Sequence, residues 1–273
     1  MAMTLRETQN QWRKHNELRK GFFNRWARLW AIYYNEQMGL LLTDRGAFTQ
    51  RSVEGLFVKM YEDVGGEFAA LSFATTKSSS LNLITKEGEP DGPRSVSSGM
   101  ALNWDEYMAN YARTAGAQSI VSISATGLAD GKALIQSITS QAIEQGLGAD
   151  ETAAWIEREI PKQWKIKSKF NALRIARTEI IAASNEVAFK GASDTGLELN
   201  KIWLTAMDGR ERQSHAAANG QSVAMSDMFT LGDGVRISKP GAKGAPPEDV
   251  INCRCAVGYQ SVVFARQPNQ RAF

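Results

Sequence analysis

Apolar side chains recur at helical spacing over much of the first 190 residues, and this pattern constrains the fold more than any other feature. Near the N-terminus, positions i, i+3, i+4, i+7 and i+8 of one helical face are occupied by Trp26, Leu29, Trp30, Tyr33 and Tyr34. Residues 1 to about 42 are therefore predicted to form a helix. The aromatic members of this face, Trp26, Trp30, Tyr33 and Tyr34, have two interpretations. They form a core of this chain or a docking face for a partner, and the spacing favours the core.

A second helical pattern covers residues 47 to 75, where Gly65-Gly66 is expected to bend or break the helix. Residues 76–100 are rich in Ser, Gly, Pro and Lys and carry little periodicity. They are predicted to form a linker or a long exposed loop.

Three further segments carry helical periodicity. Residues 132–145 are predicted to be helical, whereas 119–124 fit either a short strand or the start of a helix. Asp150 is expected to cap a helix that stops at Pro161, and a long helix is predicted over 168–190.

The character of the sequence changes near residue 200. Residues 201–206, Val250-Ile251 and 255–264 are predicted to be strands, and a polar, Gly-rich stretch separates them. The fold class is therefore α+β, with a predominantly helical N-terminal region and a small β-containing C-terminal unit. The predicted domains are an N-terminal arm over 1–100 and a second domain over 101–273. In the second domain, helices extend to 190 and the β-containing unit covers 200–264.

Composition excludes several classes of protein. Hydrophobic residues make up 43% and charged residues 22% of the 273 residues, with a net charge of +3, as in ordinary globular proteins. The sequence shows neither a signal peptide nor a membrane span. Cys253 and Cys255 are too close to form an unstrained disulfide, so reduced thiols and synthesis in a cytoplasm are expected.

The basic N-terminal helix has two interpretations. It carries Arg13, Lys14, Arg19, Lys20, Arg25 and Arg28 among aromatic residues. This pattern fits packaged DNA or an acidic partner, and it equally fits the solvated face of an amphipathic helix.

No recognised catalytic motif is present. The sequence lacks a nucleophile elbow, His-Glu-x-x-His, a phosphate loop and a dinucleotide-binding fingerprint. The deaminase pattern is also absent, because the cysteine spacing is wrong and His215 lacks the accompanying Glu. No catalytic residue and no small-molecule substrate are therefore predicted.

Four sequence pieces occur in order over the last third of the chain. They are Arg177-Thr-Glu179, then Trp203-Leu-Thr with Asp208-Gly-Arg210 through His215, then Asn219-Gly220, and finally Asn252-Cys253-Arg254-Cys255. Over about residues 170–260 this order resembles the phage Mu F-like head morphogenesis family of minor head proteins.

The resemblance implies a structural role in the virion of a tailed bacteriophage. It implies a few copies per head next to the portal, contact with the portal protein or the major capsid protein, and a role in head morphogenesis, with genome packaging or delivery as a further role. Packaged double-stranded DNA is a further candidate partner, on the pattern of the basic N-terminal helix. Neither a membrane nor an enzymatic activity is implied. The alternatives are a phage-borne enzyme or toxin, since the family's C-terminal unit also occurs beside toxin domains, and a DNA-binding protein packaged in the head.

A departure from the family pattern concerns a metal. Many members resemble Asp-x-Arg-x-Cys-x-x-Cys at the second piece, which together with the last Cys-x-Cys makes a four-thiolate zinc site. Here Arg212 and His215 stand at the first two cysteine positions. His215, Cys253 and Cys255 remain as three possible ligands, with Asp208 or a water as the fourth. The alternative, a reduced cysteine pair beside a structural histidine without a cofactor, is favoured.

The charged residues of the first two pieces are predicted to be structural. Arg177 and Glu179 lie two residues apart on a helix and do not face each other. Glu179 is expected to reach Arg210 or Arg212 and so to join the helix to the β-containing unit.

Overall fold

The computed structural model describes residues 5–84 and 98–262. Its long helices are α1 (Leu5–Leu42), α2 (Gln50–Ile84), α3 (Ser98–Thr114), α4 (Ala117–Glu144) and α5 (Ala149–Ser193). The shorter elements that follow are β1 (Leu199–Leu204), α6 (Gln213–Ala218), β2 (Ser222–Ala224), β3 (Phe229–Thr230), β4 (Arg236–Ile237), α7 (Pro247–Val250) and β5 (Ala256–Ser261). None of the described helices carries an apolar stretch long enough to cross a lipid bilayer.

The strands form a small antiparallel sheet in the order β2-β1-β5, with Lys201 opposite Val223 on one side and Tyr259 on the other. A separate two-stranded ladder joins β3 and β4. The predicted α+β fold class is confirmed. β5 lies within the predicted strand 255–264, and β1 overlaps the predicted strand 201–206 but begins two residues earlier, at Leu199. The strand predicted at Val250-Ile251 is wrong, because Val250 ends α7 and Ile251 lies in the turn after it.

The helix break predicted at Gly65-Gly66 is wrong, because α2 is continuous through both residues. A Cβ atom on Gly65 would lie 2.8 Å from Cγ of Met108 on α3. The glycine therefore serves close approach of two helices, and the packing compensates for its low helix propensity.

The helix end predicted at Pro161 is also wrong, because α5 runs through it without interruption. Proline removes one backbone hydrogen bond from a helix interior. The flanking residues Ile160 and Trp164 are almost fully buried, and burial of large apolar side chains offsets such a loss.

The structure bears on two further segments of the helical region. Residues 119–124 lie inside α4, so they are helix and not strand. The linker predicted over 76–100 is wrong at both ends, because α2 extends to Ile84 and α3 begins at Ser98. The rest of that predicted linker lies outside the described residues.

The chain divides into two compact units, each built from segments that are far apart in sequence. We call the unit made of Phe23–Met60 and Tyr111–Arg177 the aromatic unit. We call the unit made of Met1–Phe22, Tyr61–Asn110 and Thr178–Phe273 the junction unit. Sequence patterning, by contrast, predicts a single boundary near residue 100.

The four aromatic residues considered as a docking face lie in the core of the aromatic unit. Trp26, Trp30, Tyr33 and Tyr34 are between 0% and 7% exposed. The Tyr34 ring lies 5.4 Å from that of Phe48. The docking interpretation of these residues is therefore wrong, because the chain itself covers their side chains.

Candidate functional site

A buried arginine joins three segments of the junction unit. Arg19 on α1 is fully buried and donates from Nε to Ser184 Oγ at 2.8 Å and from Nη2 to Asn185 Oδ1 at 2.7 Å. Its Nη1 donates to the carbonyl of Cys255 at 3.3 Å. Burial lowers the pKa of Arg19 to about 10, so the guanidinium keeps its charge at neutral pH. α1 is thereby held against α5 and the segment that enters β5.

Asn185 continues this network. Its Nδ2 donates to the carbonyls of Pro240 at 2.9 Å and Cys255 at 3.2 Å. Its Oδ1 accepts from the Val257 N–H at 3.2 Å as well as from Arg19. The Asn185 amide thus acts as both donor and acceptor. Its hydrogen bonds connect α5 to the backbone around the cysteines.

Two buried glutamates on α5 form a second set of contacts. Glu179 accepts from the Tyr61 hydroxyl at 2.7 Å and pairs with Lys243. Glu186 accepts from the Tyr107 hydroxyl at 2.6 Å and pairs with Lys239 at 2.9 Å. Each carboxylate therefore connects one helix of the α2–α3 region to the polar loop between β4 and α7. The contacts of the described residues contradict the predicted pairing of Glu179 with Arg210 or Arg212.

The Asp208 turn forms a partly exposed clamp. Asp208 binds the Arg254 guanidinium through both oxygens, at 2.6 and 2.9 Å, and also accepts from Arg210. These hydrogen bonds, first from Arg254 and then from Arg210, hold the pKa of Asp208 well below its usual range. The Arg254 carbonyl accepts from Trp12 Nε1 at 2.9 Å. The clamp therefore continues into α1.

His215, Cys253 and Cys255 converge in the interior of the same unit, each between 1% and 3% exposed. Nδ1 of His215 lies 3.4 Å from Sγ of Cys255 and 3.7 Å from Sγ of Cys253. Its Nε2 lies 3.3 Å from Oδ1 of Asp249. The edge of the Trp203 ring system packs against the imidazole, with centroids 5.3 Å apart. Residues from α6, α7 and the approach to β5 therefore meet at one point.

The electrostatics of this cluster favour one thiolate. A hydrogen bond with Cys255, followed by the contact with His215, lowers the pKa of Cys253 despite burial. The same neighbouring sulfur and burial raise the pKa of Cys255. Burial alone would lower the pKa of His215, but the hydrogen bond to Cys253 raises it overall.

The donor set fits a zinc ion with three protein ligands. The three ligand atoms lie within 4.8 Å of one another. A tetrahedral zinc site with ordinary Zn–N and Zn–S bonds has N···S separations of about 3.5 Å, close to the observed pair. Asp249 orients the imidazole through its other nitrogen, as the outer carboxylates of zinc sites do. Among the described residues no fourth His, Cys, Asp or Glu joins the group, and Asp208 is instead held by Arg254.

The remaining motif residues serve turns or face solvent. Gly220 has φ of +79° and donates its N–H to the Trp203 carbonyl at 2.8 Å. Asn252 has φ of +56°, and its N–H donates to Thr178 Oγ1 at 3.1 Å. Arg177 is exposed on α5. The threonine between Arg177 and Glu179 thus contacts the fourth sequence piece directly.

Sequence reasoning missed several of the residues that hold this site. The sequence pattern places Arg19 among the solvent-facing or DNA-facing cations of α1, whereas the structure buries it. Glu186 follows Glu179 by seven residues, and Lys243 follows Lys239 by four. Two glutamates on one helical face, followed later by two lysines four residues apart, form a pattern that can be recognised in the sequence. Their pairing depends on the tertiary fold.

The fold and the site define an α+β protein whose C-terminal segment is tied by buried polar contacts to α1 and α5. Residues 133–258 match the family model described as Phage Mu protein F like protein. This segment of the chain is therefore similar to Mu F-like proteins, as the sequence pieces predict.

Two curated proteins are each similar to a little under half of this chain. An Enterococcus faecalis protein named NAD(+)--arginine ADP-ribosyltransferase EFV is 34% identical over 128 residues, which are 45% of this chain and 25% of that protein. Minor head protein GP7 of Bacillus phage SPP1 is 30% identical over 122 residues, which are 44% of this chain and 39% of that protein. The chain thus matches well under half of either relative. No solved structure matches it significantly.

Proposed function

We propose that this chain is a minor head protein of a tailed bacteriophage. It is a low-copy structural component that acts in head morphogenesis, next to the portal. Its partners are the portal protein or the major capsid protein, and packaged double-stranded DNA is a further candidate. The observation that carries the proposal is the similarity to a protein named as a minor head protein, which accompanies the Mu F-like match.

The contacts of the motif residues support a structural role. Glu179 and Asp208 are engaged by cations of the same chain, and Trp203 is packed between His215 and Phe229. Charges held in this way stabilise a junction. A catalytic carboxylate, by comparison, must be able to reach a substrate proton.

The test is a phage genome from which the coding sequence of this chain is removed. Loss should produce misassembled heads or heads with reduced DNA content, and expression of the chain in trans should restore them. Electron microscopy and DNA quantification of purified particles give the readout. Normal heads and normal infectivity without the chain would contradict the proposal.

A second candidate is an enzyme that modifies arginine with ADP-ribose, favoured by the name of the enterococcal relative. Only a quarter of that relative matches, so this candidate requires that the shared segment itself carries activity. Incubating the purified chain with labelled NAD⁺ and an arginine-rich acceptor tests it. Transfer of label that is absent in a His215→Ala variant of intact fold would favour the enzyme over the head protein.

We also propose that His215, Cys253 and Cys255 hold a zinc ion that stabilises the C-terminal segment. Metal analysis of the purified chain should give about one zinc per molecule, and Cys253→Ser should lose it. A Met228→Ser variant is the control, because this residue is 47% exposed and supplies none of the three ligands. A metal-free chain with two freely reacting thiols after unfolding would support the reduced pair instead.

A further inference from the structure

The surface of α5 between Lys162 and Arg177 combines two exposed apolar side chains with an excess of positive charge. Ile166 is 75% and Phe170 is 63% exposed. They are two of the three most exposed large apolar residues among those described, and they lie one helical turn apart. Single exposed apolar residues are ordinary, but an adjacent pair forms a patch.

Helical geometry places further residues on the same face. Lys162, Ile166, Phe170, Leu173 and Arg177 follow one another at steps of three or four residues, so they share one side of α5. We call these five residues the α5 face. It lies opposite the buried side of the helix, which carries Trp164, Ser168 and Asn171.

The charged side chains in the stretch that carries this face are all positive. Residues 160–178 contain six cations and no Asp or Glu; the cations are Lys162, Lys165, Lys167, Lys169, Arg174 and Arg177. Lys162 and Lys167 pair with carboxylates outside this stretch. Within the part of the chain that the structure describes, Lys165, Lys169 and Arg177 have no ion-pair partner. Arg174 lies 5.9 Å from the Phe170 ring centroid.

We infer that the α5 face docks a protein partner whose surface has an apolar centre surrounded by Asp and Glu. The apolar pair fits such a centre, and the unpaired cations around it complement an acidic rim. This inference rests on the proposed function and deepens it, because it names the surface by which the chain is held in the head.

Two other occupants fit these observations less well. A DNA backbone neutralises the cations but offers no apolar surface to cover Ile166 and Phe170, since its outer face is phosphate and sugar. A second copy that docks through the same face in a symmetric dimer places like charges opposite each other. An acidic protein surface satisfies both the charge and the apolar pair.

The first arm of the test counts copies of the full chain in gradient-purified particles by quantitative mass spectrometry. Ile166→Glu combined with Phe170→Glu should reduce incorporation at least about tenfold, because central apolar anchors carry most of the affinity of an interface. Lys165→Glu combined with Lys169→Glu should also reduce it. The matched controls are Ile143→Glu and Lys132→Glu, which change an exposed apolar residue and an exposed cation on α4.

The second arm identifies the occupant. Phe170→p-benzoylphenylalanine is introduced into the full chain, particles are irradiated, and the cross-linked peptide is sequenced. The expected product is a peptide of another head protein that is rich in Asp or Glu and contains apolar residues. A DNA adduct, or a peptide of this chain from a second copy, would overturn the inference.

The outcomes separate this inference from the proposed function. Absence of the wild-type chain from particles contradicts both. Normal incorporation of the two double variants, beside a wild-type chain that is present, overturns the α5 face alone. Loss of the α4 controls to the same extent as the double variants would also overturn it, because incorporation would then depend on general surface change.

Discussion

The aromatic unit and the junction unit hold their interiors together by different means. The aromatic unit packs rings edge to face, with Tyr34 and Trp164 both contacting Phe48. Every buried Asp, Glu, Lys or Arg of the described residues lies in the junction unit; these are Arg19, Glu179, Glu186, Lys201 and Asp249. Apolar packing is tolerant of shape-conserving change, whereas a buried charge depends on each of its partners.

The residues of the four sequence pieces lie in the junction unit, except Arg177, which ends the aromatic unit. Thr178, Glu179, Trp203, Gly220 and Asn252 all belong to the junction unit. All five take part in hydrogen bonds of that unit. The Asn252 N–H donates to Thr178, the Tyr61 hydroxyl donates to Glu179, and the Gly220 N–H donates to the Trp203 carbonyl. The comparison predicts that the two units respond differently to conservative substitutions.

The largest effect is expected in the aromatic unit. Trp30→Ala should lower the free energy of unfolding by about 3–5 kcal/mol, because it leaves a cavity at a fully buried site. Trp30→Phe, which keeps an aromatic ring, should cost less than half as much. Urea denaturation measures both. As a control, Leu29→Ala on the same helix should have a small effect, since Leu29 is 37% exposed; equal losses for the two tryptophan variants would undermine the comparison.

At a buried arginine, even a conservative substitution should lower the free energy of unfolding substantially. Arg19→Met should lower the free energy of unfolding by about 3 kcal/mol, because charged hydrogen bonds to two side chains and a carbonyl are lost. Arg19→Lys should cost nearly as much, since a lysine cannot reproduce the fork.

The matched control for Arg19 is Arg13→Met on the exposed side of α1, with an expected change within about 0.5 kcal/mol. Hydrogen exchange should show faster exchange in β5 for Arg19→Met only. Unchanged exchange in β5 would mean that Arg19 does not hold this strand.

Acid should weaken the junction unit through His15. Burial, with the nearby Arg19 charge, lowers the pKa of His15 to about 3. Because the unfolded state binds a proton below about pH 6.5 and the folded state does not, stability falls as the pH drops below that value. Between pH 7 and pH 5 the expected loss is about 2 kcal/mol. A His15→Gln variant should show a flatter dependence, and an identical pH profile would remove His15 as the cause.

The smallest effect is expected at the Asp208 clamp. Its carboxylate is 31% exposed, and exposed pairs contribute below about 1 kcal/mol. The depressed pKa of Asp208 means that this contribution is present above the unfolded pKa and is lost as the pH falls below it. A double-mutant cycle of Asp208→Asn with Arg254→Met measures the pair, and a coupling of several kcal/mol would show that the clamp is more central than its exposure suggests.

The predictable part of the fold is the helical periodicity of its apolar residues. The periodicity of Trp30, Tyr33 and Tyr34 predicts the helix that carries them, and the structure confirms it. Helix propensity alone predicts breaks at Gly65-Gly66 and Pro161, because propensity does not include tertiary contacts. The contact with Met108 and the burial of Trp164 are visible only in the folded chain.

The site was predictable in its members and not in its pairings. His215, Cys253 and Cys255 are identified by residue type and order, and the structure brings their ligand atoms together. The partner of Glu179 was predicted among the nearby arginines, yet Lys243 and Tyr61 bind it. Which buried charges pair depends on which loops pack against α5. The tertiary fold determines that packing, and local sequence patterns do not predict it.

Counting the copies of this chain in the virion tests whether it is a structural minor head protein. Quantitative mass spectrometry of gradient-purified virions compares this chain with the major capsid protein of the same particles. We expect a few to a few dozen copies per head, on the scale of a portal-associated component. Absence from mature virions, with the chain present in infected cells, would contradict it.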